Sequence, residues 1–323
     1  MEKPQKFDPY LDLSPPEYMG FLASITENHL LLWYSIFSGF HTNRSCILVT
    51  GSDGKGERHP QSNTNFIVLH DGSQEAIGDL ALLRRFFKDD VGLTDEKIGT
   101  SPIASCYEEK VLGEPDHHPL SFAYGNPNTA YPDRVLNAVV IGGNQDLYLQ
   151  ARQQLLEEIC KNSPVAKKTR RQMSEQLRRY KKAIITGIYD RLPLFDERRG
   201  IQFYCEENGS LQMGFKSAFL RAVQRKLDII TIRAVHKGVV TIKEIVYDAP
   251  FFTPDRISFF TNKNIIGSQQ AEQIIEAYIW FLQQYHRIQE LYKNTKQKKA
   301  APYDRELFDY YRKAIWEFTN IPL

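Results

Sequence analysis

Apolar residues recur at three- and four-residue spacing over most of the chain and at strand spacing in a few short stretches. Met19, Leu22, Ile25, Leu30, Trp33, Ile36 and Phe37 predict a helix from Pro16-Glu17 to about Thr42 with one buried face. Ile77, Leu80, Leu83, Phe86 and Phe87 predict another over Ala76 to Asp89. The same period marks Asp146 to Cys160, Lys167 to Lys182, Ser217 to Val235, Ser268 to Lys293 and about Arg305 to Phe318. In the Ser268 helix the stripe is Ile274, Ile275, Tyr278, Phe281, Leu282, Tyr285, Ile288 and Leu291, and Trp280 and the late tyrosines are read as core packing. Strands are expected at Cys46 to Val49, Asn63 to Leu69 and Val135 to Ile141, the last ending at Gly142-Gly143. A strand pair is expected over Ile201 to Gly214, turned at Asn208-Gly209. Ser101 to Asp133, rich in Gly, Pro, Asn and His, reads as a long surface loop.

The order of these elements divides the chain. Residues 1–16 are a proline-rich flexible arm, 17–150 an α/β domain of the α+β kind with a mixed sheet, and 151–323 a helical C-terminal domain. With 42% hydrophobic and 12% aromatic residues the chain can bury a sizeable core, and its net charge of +2 makes no general case for nucleic acid or membrane. Cys46, Cys106, Cys160 and Cys205 form no Cys-x-x-Cys pair, which argues against zinc and for a reducing compartment. The polar start is not a signal peptide. The longest apolar run, Leu30 to Phe37, is far short of the roughly 20 residues that span a bilayer. A cytoplasmic protein, or one secreted by a leaderless route, is expected.

The chemistry concentrates at residues 50–69. A strand runs into Gly51-Ser52, a glycine-rich segment with Gly54 and Gly56 follows, and the next strand carries Asn63 and Asn65 two apart, on one face. Nucleotidyl transfer uses a tight turn whose backbone N–H groups reach a triphosphate, a hydroxyl beside them, and carboxylates that hold the metal ions. Gly51 and Ser52 suit the first two roles. The third has asparagines where aspartates would serve.

These residues resemble the N-terminal motif of PII uridylyltransferases and related nucleotidyltransferases of the DNA polymerase beta-like superfamily. Gly51, Gly54, Glu57, Pro60 and Ser62 match that family's pattern without a gap, and Lys55 stands for its arginine. Asn63 and Asn65 occupy its two catalytic aspartate positions. Leu136 to Tyr148 is similar to its third-strand segment, with Asn137 at the third metal-site carboxylate. Gly214 to Arg221 is weakly similar to a further segment through Lys216. The resemblance implies a nucleotidyltransferase-type fold, a cleft for a nucleoside triphosphate lined by Gly51, Ser52, Gly54, Lys55, Glu57 and Lys216, and Mg2+ in active members. It does not imply uridylyl-removing activity, because no His-Asp metal-phosphohydrolase segment is present.

Three amides at the carboxylate positions imply little or no transfer of UMP or AMP, since Mg2+ is a hard ion that favours charged oxygen ligands. The expected protein is a pseudoenzyme acting by nucleotide or partner binding. Two alternatives stand beside it. One is an active nucleotidyltransferase, transferring UMP or AMP to a protein or small molecule, with Asp53 or Glu57 holding the metal. The other is a pure interaction module whose protein partner meets the Lys167 to Lys182 helix, with eight basic residues and one acid, or the 101–133 loop. Asp71 and Asp133 lie too far along their strands to substitute. His117-His118 reads as exposed loop, and the basic helix first as a solvated face.

Overall fold

The computed structural model describes residues 13–40, 42–59, 64–71, 73–89, 108–111, 136–186, 194–196, 200–205, 211–214, 218–295 and 304–322. In chain order these form α1 (Pro15–Phe37), β1 (Ser45–Thr50), β2 (Asn65–His70), α2 (Gln74–Asp89), β3 (Glu108–Val111), β4 (Val139–Gly143), α3 (Gln145–Cys160) and α4 (Pro164–Thr186). There follow β5 (Leu194–Asp196), β6 (Gly200–Cys205), β7 (Leu211–Gly214), α5 (Leu220–His236), α6 (Ile242–Tyr247), α7 (Thr253–Asn262), α8 (Ser268–Thr295) and α9 (Arg305–Asn320). The fold is mixed α+β and mainly helical. Among the described residues no helix is long and apolar enough to cross a membrane.

Two compact units interleave along the chain. One comprises residues 22–170 and 235–256, the other residues 1–21, 171–234 and 257–323. The single cut expected at residue 150 is replaced by four crossings, because α3 packs on the first sheet and the chain later returns to that unit through α6.

The first unit is built on a four-stranded sheet of order β3-β2-β1-β4. β1 is antiparallel to both β2 and β4, and β2 is parallel to β3. All six residues of β1 are buried, as a central strand covered on both faces requires. Ile47 and Val49 point to one face with their cross-strand partners Val68 and Phe66, and Trp33 and Phe37 of α1 and Leu83 of α2 pack on them. α3 packs against β1, β2 and β4 and brings Tyr148 beside Cys46. The inner face of α1 in this unit is Leu22, Thr26, Trp33 and Phe37, whereas Ile36, expected inside, is 40% exposed.

Two further expectations are corrected. The 101–133 stretch, read as loop throughout, contains β3, paired along β2; β3 is too short for periodicity to reveal, and the rest of that stretch, including His117 and His118, lies outside the described residues. The third strand of this sheet begins at Val139, not Val135, so Asn137 precedes it. The cause is Tyr148, whose hydroxyl donates to the Ala138 carbonyl at 3.0 Å and accepts from the Ala138 amide at 3.4 Å. Both backbone groups of Ala138 are thereby withdrawn from the ladder.

The second unit holds the antiparallel sheet β5-β6-β7 and the late helices. The expected strand pair is present, Phe203 facing Met213 and Cys205 facing Leu211. Phe219 stacks on Phe281 with ring centroids 3.9 Å apart, and Phe308 and Trp280 close edge-on around them. The α8 stripe is largely buried, and Tyr278 within it accepts from Gln224 Nε2 at 2.6 Å. At the start of α1, the Tyr18 hydroxyl meets His286 Nδ1 at 2.8 Å, tying that turn to α8.

Candidate functional site

The register of the first sheet gathers the singled-out residues at one end. Thr50 pairs with Asn65, so the Gly51 turn leaves β1 beside the first residue of β2. β4 runs antiparallel to β1 with Val139 opposite Val49, which brings Asn137, two residues earlier, to the same end. Asn63, Pro60, Ser62 and Lys216 lie outside the described residues.

The turn itself is tightly closed. The Ser52 carbonyl accepts from the amides of Glu57 at 2.8 Å and Lys55 at 3.3 Å, and the Asp53 carbonyl accepts from that of Gly56 at 3.2 Å. Gly56 has φ +65° and lies under the Phe252 ring, whose nearest atom is 2.5 Å from where a Cβ would stand. Gly54 faces the Asn137 backbone, where a Cβ would be 2.2 Å from the carbonyl oxygen. Glycine at 54 is a requirement of close approach, at 56 of both conformation and space.

The acids of the turn are buried and engaged. Asp53 is wholly inaccessible, and Arg58 Nη1 donates to its Oδ1 at 2.8 Å and Oδ2 at 2.9 Å. Burial still pushes Asp53 up to about 6, against the pull of Arg58. Arg58 Nη1 also donates to Thr64 Oγ1 at 3.1 Å, and the Arg58 amide to Thr26 Oγ1 at 3.1 Å. Glu57, also buried, accepts from Thr253 Oγ1 at 2.8 Å, which places a carboxylate at the positive end of α7.

Asn137 has a partner of unexpected sign. Its Oδ1 accepts from Arg256 Nη1 at 3.1 Å, and both side chains are buried. A second guanidinium, Arg152, stands 4.7 Å over the Phe251 ring and donates through Nη1 to the Val246 carbonyl at 2.7 Å. Burial and then Arg256 both lower its pKa, Tyr148 opposing. The end of the sheet where the resemblance puts metal ligands therefore holds protein cations. Asn137 and Arg256, the described side chains there, do not by themselves fit a divalent ion. Among the described residues no group of three or more His, Cys, Asp or Glu side chains is arranged to hold one.

His29 completes the site. Trp33 Nε1 donates to His29 Nε2 at 2.7 Å, so that nitrogen carries no proton and the Nδ1–H tautomer is fixed. Thr64 Oγ1 lies 2.9 Å from the same nitrogen and Asp53 Oδ1 3.7 Å. Burial, and then Arg58, lower the His29 pKa to about 4. A base neutral in the fold contributes stability above its unfolded value of about 6.5 that is lost as pH falls through the folded one. Asp53, held above its unfolded value, acts oppositely, its contribution lost as pH rises through about 6. The two slopes oppose each other between pH 4 and 6. His29→Gln should remove one of them, so that stability at pH 4.5 relative to pH 7, read from urea midpoints, is higher in the variant than in the parent.

Sequence reasoning missed Thr26, His29, Arg58, Thr253 and Arg256. Thr26 and His29 sit at the three- and four-residue spacing of Leu22, Trp33 and Phe37, a legible sign that polar groups face inward. Arg256, 119 residues from Asn137, has no such sign. No family model matches the chain, and no curated protein matches it.

Proposed function

We propose that this is a nucleotidyltransferase-fold protein, resembling PII uridylyltransferases, that has given up metal-dependent nucleotide transfer and acts by binding a nucleotide or a protein partner. The observation that carries this reading is the Asn137–Arg256 contact. A guanidinium supplies positive charge where the resemblance calls for carboxylate and metal, and a divalent ion there would meet a like charge. The turn of Gly51, Ser52, Gly54 and Lys55 next to it supports an anionic ligand. The active alternative needs Asp53 or Glu57 for the metal, and Arg58 and Thr253 already hold these.

Restoring aspartate at 63, 65 and 137 tests it. In the triple variant the carboxylate at 137 should pair with Arg256, and magnesium should have little effect. Adding Arg256→Gln frees that carboxylate, and magnesium with UTP or ATP should then raise the melting temperature by linkage. Magnesium-dependent UMP or AMP transfer by the unaltered protein would refute the reading.

A further inference from the structure

The connection from α6 to α7 lies across one side of the glycine turn. It belongs to the first unit, which includes residues 235–256. Both of its ends are held by arginines. At the α6 end, Arg152 of α3 donates to the Val246 carbonyl at 2.7 Å, and its guanidinium stands 4.7 Å from the centre of the Phe251 ring. At the α7 end, Arg256 donates to Asn137 Oδ1 at 3.1 Å. Between these ends Pro250 and Pro254 bring no amide hydrogen to a backbone ladder. The side chains of Phe252 and Thr253 fasten the stretch to the turn.

Phe252 covers Gly56. Three atoms of its ring lie 2.5, 2.7 and 2.9 Å from where a Cβ on Gly56 would stand. Thr253 Oγ1 donates to Glu57 Oε1 at 2.8 Å, and both residues are buried. The turn is thereby divided. Gly51, Ser52 and Lys55 are half-buried and meet solvent, whereas Gly56 and Glu57 are buried beneath the connection. A glycine at φ +65° lets a ligand come close to the backbone, and the Phe252 ring stands in the space that Gly56 leaves. The ring itself is only half-buried, so lifting it forfeits only part of its apolar burial. Its neighbour is held to the turn by one hydroxyl-to-carboxylate hydrogen bond. Phe252 and Thr253 are therefore a lightly fastened cover between two firmly held ends.

We propose that this connection is an autoinhibitory strap, with Phe252 and Thr253 as its latch on the glycine turn. The latch lifts from Gly56 and Glu57 when a nucleoside triphosphate seats its phosphates on the turn, while Arg152 and Arg256 keep the ends of the strap in place. The strap rests on the nucleotide-binding form of the proposed function and adds to it the regulation of that same site.

Calorimetric titration of the full chain with ATP and with UTP, without magnesium, tests this. The parent is compared with Thr253→Val, Phe252→Ala and a control, Val239→Ser, which changes an exposed residue of the same unit. Thr253→Val should bind about tenfold more tightly than the parent, the worth of a hydrogen bond to a charged group. Phe252→Ala should gain by a similar factor. Apparent affinity rises with the fraction of molecules whose turn is open. Val239→Ser should bind as the parent does. A purely structural role for the two residues predicts the opposite sign, because a loosened turn must be reordered when the ligand binds. Thermal unfolding shows which variants are folded, and the near-isosteric Thr253→Val keeps the test decisive if Phe252→Ala does not fold. Binding by the latch variants alone also supports the strap. Binding by the parent that is unchanged or weaker in a folded latch variant, or an equal gain in Val239→Ser, overturns the strap and leaves the nucleotide reading standing. No saturable binding of either nucleotide by the parent or the variants overturns both.

Discussion

Arg58→Met should cost about 3 to 5 kcal/mol of stability at pH 8, the range for removing one partner of a buried ion pair. Asp53 would be left with no exposure to water and without the cation that now meets both of its oxygens. Thr64 and Thr26, which bond to Arg58, offer only hydroxyls, and hydroxyls do not neutralise a charge. The deficit should shrink at pH 5, because Asp53 already sits near 6 with Arg58 present and losing that partner moves it higher. A carboxyl group whose folded pKa exceeds the unfolded value of about 3.9 is least costly in acid and most costly once it must ionise. Changing both residues, Asp53→Leu with Arg58→Met, should lose less than Arg58→Met alone, since no uncompensated charge is left buried. Urea midpoints at pH 5 and 8 decide the matter. A pH-independent loss below 1 kcal/mol would show that the pair is not the anchor of this turn.

Gly54→Ala should be nearly as damaging. The added methyl would stand 2.2 Å from the Asn137 carbonyl oxygen, 3.2 Å from its carbon and 3.3 Å from the Val49 carbonyl oxygen. All three are backbone atoms, so no side-chain rotation relieves the clash. Either residues 51–57 or 136–138 must move, and the second movement pulls Asn137 from Arg256. A loss of about 3 kcal/mol, the upper part of the overpacking range, is expected. Gly78→Ala is the contrast. That glycine lies on α2 with nothing within 4 Å of an added Cβ, and alanine there should stabilise by about 0.5 to 1 kcal/mol through helix propensity. Thermal unfolding of the two variants side by side measures both signs.

The elements legible in the sequence were those whose period is long or whose turn is chemically marked. α3, α5, α8 and α9 follow their apolar stripes, and β6 and β7 fall within the expected strand pair, whose turn at Asn208-Gly209 lies outside the described residues. β1 and β2 were legible because an apolar run met a glycine turn. The short elements were not. α6 is only six residues long, yet Thr241 and Glu244 form a capping box that spells out its start. β3 depends on its parallel pairing with β2, which no local pattern encodes. The same division runs through the site. Gly54 and Gly56 were readable as positions of close approach, but what approaches them, the Asn137 carbonyl and the Phe252 ring, is set by tertiary packing. The positions of Asn65 and Asn137 at one end of the sheet follow from strand order, whereas Arg256 reaches Asn137 only because the chain returns to this unit after α5. The Arg256–Asn137 contact is therefore a property of the fold that the motif alone could not carry.

The magnesium dependence of nucleoside triphosphate binding by the unaltered protein tests the central claim most directly. If Arg256 and the glycine turn supply the positive charge, calorimetric titration with UTP and ATP should give a weak affinity that is the same with and without magnesium. A magnesium-dependent gain of about tenfold or more, worth some 1.4 kcal/mol, would mean that carboxylates of this chain still hold the ion, and would contradict the account.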